Sequence, residues 1–167
     1  VSRIEHKAIE SVYAQAGIQI AWLQPRYLDH TAARDGTAKP NEVVRIGRMR
    51  GIWGSGPPRL SLIFVNAING KKGPRGLGMT PGPICFVAMR EKQTNPEMES
   101  FAVAHEIGHC LGLIHAVDDP DVPNDKPNIM GDGKFSERIG KSALMPAHIP
   151  RIRESRLLLW PRRDSRQ

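Results

Sequence analysis

"AHEIGHCLGLIH", residues 104–115, gathers three of the chain's six histidines and one glutamate into a single short stretch. His105 and His109 are four residues apart. On a helix that spacing puts both imidazoles on one face, about one turn from each other and close enough to share an ion. A catalytic zinc takes three protein ligands in tetrahedral geometry and keeps a fourth position for water, so two histidines from one helix leave the set incomplete. Gly112 supplies the means to complete it. Three residues after His109, a glycine can adopt positive φ, end the helix and turn the chain sharply, bringing His115 back toward the same ion. Were the helix to continue, His115 would sit about 240° around from His109 and point away.

Glu106 is about 100° around the helix from His105, beside the metal face rather than on it. From there a carboxylate can take a proton from zinc-bound water as it attacks a carbonyl, then pass it to the leaving amine. A chance match to HExxHxxGxxH in a chain of this size has odds on the order of 10⁻⁵ to 10⁻⁴, so coincidence is set aside. A core helix would carry apolar residues where these polar groups stand. A purely structural zinc site would have no need of Glu106. The residues themselves therefore point to zinc held by His105, His109 and His115, with Glu106 as general base and acid.

"HEIGHCLGLIH" resembles the elongated zinc signature of the metzincin metalloproteases. "PNIMGDG" supports the resemblance, because its Met130 lies fifteen residues beyond His115, where metzincins place their Met-turn. The resemblance implies that Met130 is an apolar platform under the three histidines, not a ligand. It also implies an α+β fold of zincin type: a mixed twisted sheet, a zinc-binding active-site helix and a small C-terminal lobe closed by a helix. The whole chain, 1–167, would be one catalytic domain, with residues 1–112 as upper lobe and 113–167 as lower lobe. The implied activity is zinc-dependent endopeptidase, with one catalytic zinc, a peptide or protein substrate, and a secreted or periplasmic location. The closing stretch "FSERIGKSALMPAHIPRIRESRL" looks like that of bacterial matrixin-like and pappalysin-like members. Two positions depart from the family. Ala116 follows the third histidine, where named families tend to carry Ser, Asp, Glu or Pro, and Asp132 stands where astacin-like and serralysin-like members have a tyrosine. Two alternatives remain beside this reading: a non-catalytic, zinc-stabilised binding module, and a zinc amidase acting on a non-peptide substrate.

Outward from the motif, the patterning predicts a helix over about 96–111, with Asn95 as cap, Pro96 at the first position and Glu97 and Glu99 in the first turn. Ser2–Ala16 reads as an amphipathic helix stopped by Gly17, with Ser2 as N-cap and Glu5 three residues on. Alternation over Ile18–Leu23 predicts a strand, as do Arg59–Asn66 and Ile84–Met89. "NEVVRIGRM" fits either a short helix or a strand. The Gly- and Pro-rich run "NGKKGPRGLGMTPGP" is an ordered loop or a ragged edge. Within it, Gly76–Gly82 corresponds to the edge strand that metzincins pair with substrate, although a plain loop is the preferred reading. A last helix is expected near Pro146, interrupted at Pro150. This order gives an α+β class with a mixed sheet.

Composition fits one ordinary globular domain: 40% hydrophobic and 25% charged over 167 residues. No apolar run approaches the ~20 residues of a membrane span. The chain begins at Val1 rather than Met, as expected of a trimmed or mature form, so the missing signal-peptide pattern carries little weight. The net charge of +7 is concentrated at one end: residues 134–167 hold nine Lys/Arg against three Asp/Glu, or +6. That segment lacks the interleaved aromatics that stack on bases, so it reads as a solvated face and no nucleic-acid partner is expected. Asp118, Asp119, Asp121 and Asp125 invite comparison with a calcium loop. "DDPDVPND" lacks the EF-hand glycine and terminal glutamate, so a solvated loop is favoured over calcium. His6, His30 and His148 read as surface or helix histidines. Cys85 and Cys110 form no metal motif; a disulfide bracing the active-site helix and two buried thiols both stay open, with thiols slightly favoured.

Overall fold

The computed structural model describes residues 4–27, 31, 39, 41–42, 45, 59–68, 71–72, 75–78, 83–88, 96–123, 127–131 and 143–158. It is a mixed α/β structure in which helices pack on a small sheet, consistent with the α+β class.

Helix α1, His6–Ala14, buries Ile9, Val12 and Tyr13, and Ala16 beyond its end is buried too, a stripe at helical spacing. It starts later than the sequence predicts. Glu5 occupies the N-cap without a side-chain capping bond, and its own N–H donates to Ser100 Oγ at 2.9 Å. The tertiary contact replaces the local capping box, and Ser2 lies outside the described residues. Gly17, at φ 75°, ends the helix as expected.

Ile18–Leu23 is not a strand. The alternation is real, since Ile18, Ile20 and Trp22 are the half-buried positions and pack against the core. Its anchors are on α1, however: Trp22 Nε1–H donates to Glu10 Oε1 at 2.7 Å, and the His6 ring stacks on Trp22 with centroids 4.2 Å apart. The segment folds back along α1 without joining a ladder among the described residues.

The sheet is built on β5, Ile84–Ala88, every residue of which is buried. β1, Ser61–Val65, pairs with it in parallel, and β4, Arg75–Gly78, pairs antiparallel on its other side. The sheet is therefore mixed, and part of the Gly-rich run, which the sequence leaves between an ordered loop and a ragged edge, is an edge strand among the described residues. Glycine weakens a strand but does not forbid one when the neighbour supplies the ladder. Two short strands, β2 (Ala67–Ile68) and β3 (Lys71–Lys72), form a separate antiparallel pair. "NEVVRIGRM" lies largely outside the described residues.

Helix α2, Pro96–Cys110, lies against α1, β4 and β5, close to its predicted span. Asn95, its expected cap, lies outside the described residues. Phe101, Val103, Ala104, Ile107 and Leu111 feed one core with α1, Val87, Leu113, Ile129, Met130, Leu144 and Ile152.

Helix α3 spans His148–Arg153 and follows a turn at Pro146–Ala147. Pro150 does not break it, because the proline falls in the first turn, where its missing N–H has no intrahelical partner to lose. His148 is a helix histidine, wholly buried, and its Nδ1 accepts the Met145 N–H at 3.1 Å. His30 lies outside the described residues.

The basic end of the chain is less solvated than its composition suggests. Arg153 Nε donates to the Ala16 carbonyl at 3.1 Å, tying α3 to the end of α1. Arg151 bonds Asp119 and, at 2.6 Å, Asp121. Asp119 is 4% exposed, which corrects the solvated reading at that one residue, while Asp118 and Asp121 are exposed as expected and Asp125 lies outside the described residues; Asp119 Oδ1 also accepts the Asp121 N–H. Burial alone would raise the Asp119 carboxyl; the bond from Arg151, the Asp121 N–H and the charges of Arg151 and His148 together hold it below its ordinary value.

Replacing Arg151 with Met would leave this buried carboxylate without its cation. Denaturant unfolding at pH 7 is expected to show a loss of about 1–3 kcal/mol. A depressed folded pKa stabilises above the unfolded value of about 3.9, and that contribution fades as pH falls through the folded value. The deficit of the variant should therefore shrink in strong acid; a deficit unchanged with pH would contradict the assignment.

Candidate metal centre

The site begins where α2 ends. Gly112, at φ 100°, leaves the helix in the left-handed region. Its N–H bonds to the His109 carbonyl at 3.0 Å and the Leu113 N–H bonds to the Gly108 carbonyl at 3.0 Å, the paired closure of a Schellman motif. The sharp turn expected at Gly112 is present, and it carries His115 back to His105 and His109.

The three histidines meet through one kind of atom. His109 Nε2 lies 3.1 Å from His105 Nε2 and 3.2 Å from His115 Nε2. All three donor nitrogens fall within 4.8 Å of one another. Backbone carbonyls settle which nitrogen is free to bind: His105 Nδ1–H donates to Ile129 O at 2.8 Å, and His109 Nδ1–H donates to Leu113 O at 2.9 Å. With the proton on Nδ1, each Nε2 presents a lone pair inward.

Two lone pairs 3.1 Å apart repel unless a cation lies between them. For nitrogen ligands at ~2.0–2.1 Å around a tetrahedral ion, the expected nitrogen–nitrogen separation is about 3.3–3.4 Å. The observed spacings are close to that, so His105, His109 and His115 are placed to hold a metal ion. Burial lowers the His109 pKa, against the opposing effect of its bond to Leu113 and assisted by His115, so the neutral form that binds metal is favoured. His105 and His109 are half-buried and His115 is exposed, leaving one side of the cluster open to solvent.

Met130 is fully buried and directly follows Ile129, whose carbonyl accepts from His105. A Cβ added at Gly108 would stand 2.6 Å from Met130 Sδ, closer than real side chains approach. Gly108 is thus the gap into which the sulfur fits, between His105 and His109 on the helix. The Met130 segment is shaped by Asn128, whose Oδ1 accepts the Met130 N–H at 2.9 Å and whose carbonyl accepts the Gly131 N–H at 3.1 Å. Ala116 closes the frame, its N–H donating to Met130 O at 2.9 Å with its methyl 2% exposed.

Glu106 is 5% exposed and follows His105 on α2. Its charge reaches Tyr13 and Cys85. The Tyr13 phenol is raised chiefly by burial, then by Cys85, Cys110 and Glu106; the Cys85 thiol is raised first by its hydrogen bond with Cys110 and then by burial. Tyr13 OH donates to the Ala104 carbonyl at 2.5 Å, one residue before the first ligand. Cys85 and Cys110 are thiols rather than a disulfide, both fully buried, as the sequence slightly favoured.

Sequence reasoning named His105, His109, His115, Glu106, Gly112 and Met130; the structure brings the three histidines together past the Gly112 turn, buries Glu106 one residue after His105, and packs Met130 against Gly108 of the same helix. It missed Gly108, Tyr13 and Asn128. A glycine in a helix interior costs about 1 kcal/mol relative to Ala, and that penalty within a ligand-bearing helix was the available clue to Gly108. Nothing local marked Tyr13, which is 91 residues from the carbonyl it holds. No family model matches the chain, and no curated protein matches it.

Gly108→Ala is expected to displace Met130 and the ligand turn above it, weakening zinc binding by about tenfold or more in a competition titration against a chromophoric chelator. Shortening the opposing side chain in Gly108→Ala/Met130→Ala should return part of the loss. Wild-type affinity in the single variant would show that the close approach has no bearing on the metal.

Proposed function

We propose that this chain is a zinc-dependent endopeptidase of the metzincin type. The observation that carries the reading is the convergence of three histidine Nε2 atoms, two of them with the lone pair turned inward, together with a buried glutamate next to His105 on α2. A purely structural site has no use for that carboxylate, and such a site is usually closed by a fourth protein ligand. Imidazole ligands in a compact set of this spacing suit zinc. Bound there, zinc would polarise the scissile carbonyl and bring the pKa of water to about 7.

The chain's own groups supply the remainder. Glu106 accepts the proton of the attacking water on its carboxylate and returns it to the departing amine. The Ile129 and Leu113 carbonyls keep His105 and His109 oriented throughout. Met130 fills the floor and excludes water from beneath the rings. No tyrosine stands two residues past Met130, so oxyanion stabilisation from that position is not part of the mechanism. The antiparallel edge strand β4 supports a peptide substrate laid alongside in extended form, the strand-addition mode of recognition. In this reading residues 1–112 form the upper lobe, 113–167 the lower lobe, and the protein works outside the cytoplasm.

Purified protein is expected to carry about one zinc per chain and to cleave members of a diverse peptide library, read by mass spectrometry, with cleavage lost on chelation. Metal-free protein that still cleaves would sink the proposal. Glu106→Ala should retain zinc and lose about 10²–10⁴-fold in turnover. A full complement of activity in that variant would remove Glu106 from the mechanism. A hydroxamate should bind the loaded site; refusal would favour a closed, structural zinc.

A further inference from the structure

Two of the three histidines have their outer ring nitrogen taken by a backbone carbonyl, Ile129 O for His105 and Leu113 O for His109. His115, the exposed member of the cluster, is bonded by no carbonyl at that position among the described residues. Its Nδ1 faces the Asp118 carboxylate instead, with Oδ2 at 3.8 Å. The contact is on the edge of the ring away from Nε2, which lies 3.2 Å from His109 Nε2. Asp118 therefore stands behind the third histidine and is not a fourth group aimed at the middle of the cluster. The hydrolytic mechanism gives it no part.

The backbone brings the two side chains together. The Asp118 N–H donates to the His115 carbonyl at 3.0 Å, and the Asp119 N–H to the Ala116 carbonyl at 3.4 Å. Consecutive bonds of this i→i+3 kind stack side chains three positions apart one over the other. The turn is tied down on both sides of Asp118. Ala116 N–H donates to Met130 O at 2.9 Å, and the buried Asp119 carboxylate is held by Arg151. Asp118 is thus set between two anchored residues with its carboxylate exposed beside His115, and no Lys or Arg pairs with it among the described residues.

We propose that Asp118 is the positioning residue of the third ligand: it accepts the His115 Nδ1–H, so that His115 Nε2 turns a lone pair inward like those of His105 and His109. A carboxylate or carbonyl on the ring nitrogen that does not bind is the usual means of orienting an imidazole ligand, and it also raises the basicity of the nitrogen that does. The 3.8 Å separation is about 0.8 Å longer than a direct N–H···O bond, a gap that rotation of either exposed side chain can close. Solvent screens an exposed pair, so the effect on metal affinity is at the low end for partners of this kind. The inference rests on the metal reading of the site and is independent of peptide cleavage.

The test compares the intact chain with Asp118→Ala and Asp118→Asn in zinc titrations against a chromophoric chelator. Asp118→Ala is expected to bind zinc about tenfold more weakly. Asp118→Asn keeps an acceptor oxygen and should recover part of that loss. The metal-free variants should melt with the wild-type chain, since the carboxylate is exposed. Long-range nitrogen-15 correlation spectra of the metal-free chain at about pH 8, above the ordinary histidine range, should show His115 protonated on Nδ1, with the proton moving to Nε2 in Asp118→Ala. Unchanged zinc affinity in Asp118→Ala, an Nε2–H tautomer in the wild-type chain, an Asn variant no better than Ala, or a lowered melting temperature of the metal-free variants would each overturn this role alone. A wild-type chain that refuses zinc would remove the metal reading itself, and this inference with it.

Discussion

The candidate metal centre rests on two hydrogen bonds to backbone carbonyls, which orient His105 and His109. Leu113 O takes the His109 Nδ1–H and Ile129 O takes the His105 Nδ1–H. Each bond fixes a tautomer and a ring orientation at once, turning Nε2 inward as an acceptor of metal rather than of protons. The first carbonyl is available because Gly112 ends α2 in a Schellman turn that folds Leu113 back over the helix. The second is available because Asn128 holds the Met130 segment in a tight turn underneath. Neither carbonyl belongs to a conspicuous residue. The site is thus made from backbone geometry, with the histidines as its visible part.

The packing beneath explains why that geometry is held. Met130 Sδ occupies the space that any side chain at position 108 would need. Tyr13, from α1, closes the same space from the other side, its hydroxyl 3.5 Å from where that side chain would begin and bonded to Ala104 O. The ligand helix is therefore gripped between an N-terminal helix and a turn more than a hundred residues later. Protein interiors are packed to crystal density, so a helix gripped in this way transmits small displacements directly to its side chains. Ala116 is part of the same frame. Its N–H clamps Met130 O, and its small buried side chain fits where a larger group after His115 would meet the core.

What could be read in advance followed the range of the forces involved. Helix α2 was placed to within a residue at its end because periodicity, Pro96 and Gly112 are all local. The Gly112 turn was predicted for the reason it occurs, the need to reverse direction before His115. Readings failed where a distant partner intervened. Ile18–Leu23 has strand alternation, yet Glu10 and His6 capture Trp22 and lay the segment along α1. The Gly-rich run before Pro83 fits a loop or a ragged edge by its composition, and only the ladder offered by β5 decides for the edge over Arg75–Gly78. Asp119 sits in an acidic, proline-rich stretch that reads as solvated, yet Arg151, 32 residues on, draws it into the interior.

The spacing of His105, His109, Gly112 and His115 already contained the histidine cluster and the turn that assembles it, because 3.6-residue periodicity and the conformational freedom of glycine are properties of the chain itself. Which ring nitrogen faces the middle of the cluster, and what packs against the helix that carries it, were set only by the fold. Those features depend on Ile129 O, Met130 and Tyr13 arriving from remote parts of the chain, and no local pattern encodes a contact whose two halves are twenty-four or ninety-one residues apart.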